Sequence, residues 1–142
     1  MQTRRKIILC IDDNWIGLIG RKQFLEQNGY KVHEATDADE GLQLFLTHHV
    51  DAVILNYQMP GKHGDVLATR MKKAKSQVPI LLLSAYGPLP REKLASVDVF
   101  MTKSQEPVAL LPALRLLLTA RPKAFFHRWF DHWRGRNQAV RL

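Results

Sequence analysis

Five short apolar runs recur along this chain, and after each comes a stretch long enough for a helix. They span Lys6 to Ile11, Tyr30 to Ala35, Asp51 to Leu55, Val78 to Leu83 and Val97 to Met101. The run at Tyr30 alternates; the others are nearly continuous, the pattern of strands buried on both faces. Between them the period becomes helical. Trp15 to Asn28 places apolar residues at 15, 16, 18, 19, 24 and 25 on one helical face, with Asn14 as N-cap and Gly29 as the stop. Thr36 or Asp37 can cap a second helix to about His48, whose apolar residues are Leu42, Leu44, Phe45 and Leu46. A third runs from Asp65 to about Lys75, with Arg70, Lys72, Lys73 and Lys75 marking its solvent face. Past the fourth strand the signal weakens. Tyr86-Gly87-Pro88-Leu89-Pro90 is a loop, which leaves Arg91 to Ser96 room for about two turns. Pro107 to Thr119 is the fifth helix, and Pro112 inside it must kink it or make it start late. Strands and helices that alternate in this way specify an α/β domain, a doubly wound parallel sheet covered on both faces.

Ligands of such sheets bind outside the carboxyl ends of the strands. Asp12, Asp13, Asn56, Ser84 and Lys103 all fall at or just past those ends. Adjacent carboxylates repel, and a hard divalent cation is the usual remedy. An Asp-Asp pair also serves as a helix cap, but the polar residues at the other strand ends favour one shared site.

The arrangement Ile11-Asp12-Asp13, then Asn56-Tyr57-Gln58-Met59-Pro60 with Gly64, then Ser84-Ala85, then Phe100-Met101-Thr102-Lys103 resembles the receiver domain of bacterial two-component response regulators. The resemblance covers residues 5–119 and implies a flavodoxin-like five-stranded sheet of order 2-1-3-4-5. It also implies a phosphorelay role, with Mg²⁺ held by Asp12, Asp13, residue 56 and the backbone carbonyl of Gln58. An aspartate at position 56 would take a phosphoryl group from a histidine kinase, and Ser84 and Lys103 would bind its oxygens. Phe100 matches an aromatic residue that changes rotamer as the signal passes on. The expected partners are a histidine kinase or phosphotransferase and a downstream target protein.

Asn56 departs from that pattern at its centre. A neutral amide oxygen is a poor nucleophile and the amide nitrogen's lone pair is delocalised, so no acyl phosphate is expected. Loss of one clustered negative charge should weaken Mg²⁺ and stabilise the metal-free form. The asparagine is either natural, which makes the chain a pseudo-receiver, or introduced to lock a receiver unphosphorylated. Ser104 stands where the family usually has a proline that sets a cis peptide, which puts the aim of Lys103 in question. The short, Pro-rich stretch from Gly87 to Ser96 does the same for the fourth helix. A second class, phosphatases with an aspartate nucleophile, is disfavoured because they carry Asp-x-Asp after the first strand, whereas Asp12 and Asp13 are adjacent. The chain is expected to be a stand-alone binding module rather than an enzyme.

Residues 120–142 differ in kind. They hold six Arg and Lys against Asp131 alone, five of the chain's eight net positive charges. Phe125, Phe126, Trp129, Phe130 and Trp133 would form one aromatic face of a basic amphipathic C-terminal helix. Packing on the domain or on a second copy is the first reading. An anionic membrane surface and a partner groove follow. Nucleic acid is disfavoured, since charge alone supports it and no recognition motif does. The lone Cys10 has no disulfide partner and is expected to be buried. With no secretory signal and no apolar stretch of about 20 residues, a cytoplasmic location is expected.

Overall fold

In the computed structural model, which describes residues 4–119, five parallel strands form one sheet of order β2-β1-β3-β4-β5. They are β1 (Ile7–Ile11), β2 (Lys31–Ala35), β3 (Ala52–Asn56), β4 (Ile80–Ser84) and β5 (Val99–Thr102). The connecting α-helices among the described residues are α1 (Trp15–Gln27), α2 (Ala38–Thr47), α3 (Gly64–Ala74) and α4 (Leu110–Thr119). Registers Ile11↔Leu55, Asn56↔Leu83 and Ser84↔Thr102 bring the strand ends level, so the polar residues there share one edge. Side chains alternate between two cores. Leu9, Ile11, Val53, Leu55, Ile80, Leu82 and Phe100 face Phe45 of α2 and Leu67 and Met71 of α3. Ile8, Cys10, Ile54, Leu81, Leu83, Val99 and Met101 face Leu18 and Leu25 of α1 and Leu114 and Leu117 of α4.

Local signals explain most boundaries. Asn14 caps α1 by accepting from the Gly17 N–H at 3.3 Å, and Gly29 follows the helix at φ +92°, the region that favours glycine. Asp37 rather than Thr36 caps α2, its side chain accepting from the Glu40 N–H at 2.8 Å. Pro112 delays the last of the described helices. Helix α4 begins at Leu110, so the proline falls in its first turn, where a missing N–H costs no intrahelical bond. The expected helix after the Pro-rich loop is a single 3-10 turn, Arg91–Leu94.

Three expectations need correction. Trp15, Ile16 and Ile19 lie on the expected apolar face of α1 but are exposed, and the buried stripe is Leu18, Arg21 and Leu25. Ile16 lies on the far side of the helix from Leu25, since each residue turns the helix by about 100°. Leu46 of α2 is likewise exposed. On α3, Lys72 and Lys75 are not simply solvated. Lys72 Nζ donates to Asp98 Oδ2 at 2.7 Å and the Val78 carbonyl at 2.8 Å, and Lys75 Nζ donates to the Phe45 carbonyl at 2.6 Å. Both tie the loop ends of neighbouring strands and helices together. No described helix is long and apolar enough to cross a membrane.

Candidate functional site

Asp12, Asn56, Ser84 and Lys103 converge at the carboxyl edge of the sheet because β1, β3, β4 and β5 end there in register. Asp12, Asn56 and Ser84 are buried, Gln58 and Lys103 are half-buried, and Asp13 is exposed. Phe100 packs inward with 1% of its surface accessible.

The carboxamide of Asn56 donates on two sides. Its Nδ2 gives one hydrogen bond to Asp13 Oδ1 at 3.1 Å and another to the Gln58 carbonyl at 2.6 Å. These acceptors fix the orientation of the amide, because turning it over would set three oxygens against one another. Asn56 Oδ1 is buried without a hydrogen-bond partner among the described residues. Gln58 extends the chain of contacts. Its Nε2 donates to Ser84 Oγ at 2.9 Å, and its Oε1 accepts from the Ala85 N–H at 3.2 Å. Ser84 Oγ also accepts from the Tyr86 N–H at 3.2 Å.

Asp12 is held by three donors. Oδ1 accepts from the Asn14 N–H at 3.0 Å, while Oδ2 meets Lys103 Nζ at 2.8 Å and Arg21 Nη1 at 3.3 Å. The guanidinium of Arg21 also grips Glu106 through Nε at 2.9 Å and Nη2 at 3.0 Å. Its side chain is only 3% exposed. Burial works against the charge of Arg21, but the Glu106 hydrogen bonds and the nearby Cys10 and Asp12 outweigh it and hold the guanidinium above its ordinary pKa. Burial also pushes the Cys10 thiol up to about 12, so it stays protonated and inert.

Sequence reasoning missed Arg21 and Glu106. The available signal was the spacing Leu18, Arg21, Leu25, which sets a charge on a buried stripe. Glu106 lies 85 residues away, and only the fold joins it to Arg21. The substitution of Ser104 leaves Lys103 on Asp12, and the cis peptide among the described residues is Glu106–Pro107. The aromatic residues of the tail lie outside the described residues.

The fold is shared with known proteins. Residues 8–115 match the family model of the response regulator receiver domain. The chain belongs to that family. Among curated proteins it is 30% identical over 127 residues to the transcriptional regulatory protein GlrR of Escherichia coli, covering 86% of this chain and 28% of GlrR. It is 32% identical over 85 residues to the transcriptional regulatory protein RprY of Bacteroides fragilis, covering 60% of this chain and 36% of RprY. It thus spans about a third of the length of these relatives. The response regulator TrrA of Thermotoga maritima, solved in complex with Mg²⁺-BeF, superposes with TM-score 0.73 at 30% identity, covering 80% of this chain and 99% of that one. In the complex of TrrA with the histidine kinase ThkA the TM-score is 0.74 at 31% identity, with coverage of 80% and 99%.

Proposed function

We propose that this receiver signals by protein–protein contact without forming an acyl phosphate at position 56. One observation carries the reading: the atom of Asn56 nearest the acidic pocket is an N–H donor, already engaged by Asp13 and Gln58. Nucleophilic attack on phosphorus needs an oxygen with available charge, and the amide presents none. The receiver is therefore a binding module rather than an enzyme.

The same atoms do not fit Mg²⁺ as they are arranged. That ion needs several oxygens directed at one point. Here the amide N–H of Asn56 occupies the interval between Asp13 and the Gln58 carbonyl, and its unpartnered oxygen is on the other arm of the amide. Collecting oxygen ligands would require the amide to turn and give up both hydrogen bonds. Weak binding or none follows.

What the domain does present is apolar surface around the carboxyl edge. Trp15, Ile16, Tyr86 and Val108 follow β1, β4 and β5 and are 60%, 66%, 72% and 86% exposed. Such a rim suits a protein partner. The complex of TrrA with a histidine kinase supports a partner of that class, or a phosphotransferase, with a downstream target beyond it. Residues 120–142 are a second contact, toward a copy of the chain, a partner groove or an anionic membrane.

Intact-mass spectrometry after incubation with acetyl phosphate and Mg²⁺ tests the proposal. The unaltered protein is expected to gain no phosphoryl group. An adduct on it would overturn the reading.

A further inference from the structure

The charges around Asp12 balance without any metal. Asp12 and Glu106 supply two negative charges, and Arg21 and Lys103 supply two positive ones, all joined by contacts of 2.8 to 3.3 Å. Among the described residues at the pocket, Asp13 alone is left without a cationic side-chain partner. The guanidinium suits its place, because a planar fork can hold Glu106 with two N–H groups and still point a third at Asp12. A divalent ion approaching Asp12 would meet two cations on Oδ2 and a backbone N–H on Oδ1.

We propose that Arg21 is the resident cation of this site and excludes a divalent metal from Asp12 independently of the residue at position 56. Glu106 is the positioning residue: it fixes the guanidinium from the far side, so that Arg21 cannot swing into solvent when another cation competes. Position 56 and the Arg21 cluster are thus two separate barriers. Asp13 and the Gln58 carbonyl are blocked by the amide, and Asp12 is blocked by the arginine. Restoring an aspartate removes the first barrier and leaves the second. The second barrier is independent of the missing nucleophile.

The test is a Mg²⁺ titration by isothermal calorimetry on Asn56→Asp and on Asn56→Asp combined with Arg21→Leu and Glu106→Gln. The added pair removes one charge of each sign, so the formal net charge is the same in both proteins. Freeing Asp12 of its guanidinium is expected to tighten Mg²⁺ about 10-fold or more. Equal affinity within twofold would overturn the proposal. A second measurement needs no variant of the cluster. In the unaltered protein the Arg21 Nε–H nitrogen–proton resonance should exchange slowly with water and stay unmoved up to millimolar Mg²⁺. A fast-exchanging resonance, or one displaced by Mg²⁺, would show that Arg21 is not resident and would overturn the proposal even if the combined variant failed to fold. Neither readout depends on whether position 56 can be phosphorylated.

Discussion

At the scale of single residues, Asn56 acts as a donor between two acceptors. Replacing it by aspartate keeps the shape and reverses that role. A carboxylate oxygen would then lie about where Nδ2 is, facing Asp13 Oδ1 and the Gln58 carbonyl at 3.1 and 2.6 Å. Two hydrogen bonds become two repulsions in a buried pocket, and Lys103 is already engaged by Asp12. Asn56→Asp is therefore expected to destabilise the metal-free protein by about 1–3 kcal/mol. Urea unfolding at neutral pH in the presence of EDTA measures it, and an unchanged or higher midpoint would contradict the donor role. Much of this site was legible in the sequence, because Asp12, Ser84 and Lys103 each end an apolar run and the fold aligns those ends. The hydrogen-bonding direction of Asn56 was not legible, since it depends on where the Gln58 carbonyl turns. Arg21 was hidden for another reason: an arginine on a surface helix is normally solvated, and only the Glu106 and Asp12 carboxylates make its burial tolerable.

At the scale of elements, the site depends on how closely α3 meets the end of β3. Gly64 opens α3, and its N–H donates to the Tyr57 carbonyl at 2.9 Å. A Cβ at this position would collide with the backbone carbonyl of Asn56, and it would lie 2.9 Å from Leu82 Cδ1 and 3.1 Å from Tyr57 Cα. Backbone atoms cannot step aside as a flexible side chain can. Gly64→Ala is expected to cost about 1–3 kcal/mol and to displace the loop that carries Gln58. Thermal unfolding reads the cost, and loss of the Gln58 side-chain amide signals in their native positions reads the displacement. A fully native spectrum would contradict the close approach. The strands were predictable because continuous apolar runs bounded by helical stretches leave few alternatives, whereas their order followed only from the resemblance to receiver domains. The face of α1 was not. Apolar residues at 15, 16 and 19 suggested one face, but Leu18, Arg21 and Leu25 turn inward because the sheet offers both apolar surface and Asp12 on that side.

At the scale of the whole molecule, the two ends of the sheet divide the work. The carboxyl edge holds the site, and the amino edge is held by Asp51. Asp51 Oδ2 accepts from the Ile7 N–H at 2.7 Å, and its Oδ1 meets His49 Nε2 at 2.9 Å, so the carboxylate joins the start of β1 to the loop before β3. Burial would raise the Asp51 carboxyl, but the Ile7 N–H, His49 and the charge of Lys6 outweigh it and hold it below the ordinary carboxylate value. A carboxylate with a depressed folded-state pKa binds protons more readily in the unfolded chain, so acid draws the equilibrium toward unfolding. Its contribution is complete above the ordinary value near 3.8 and is lost as pH falls through the lower, folded-state value. Asp51→Ala is thus expected to lose about 1.5 kcal/mol at pH 7, a loss of the size expected for a charge-assisted hydrogen bond. The gap from the unaltered protein should close as pH falls from about 5 into strong acid, as the native carboxylate protonates and the advantage of the unaltered chain disappears. Denaturant unfolding across that range checks both the magnitude and the sign. A gap that widened below about pH 5 would mean that Asp51 is more easily protonated in the folded protein, opposite to what the Ile7 N–H, His49 and Lys6 impose.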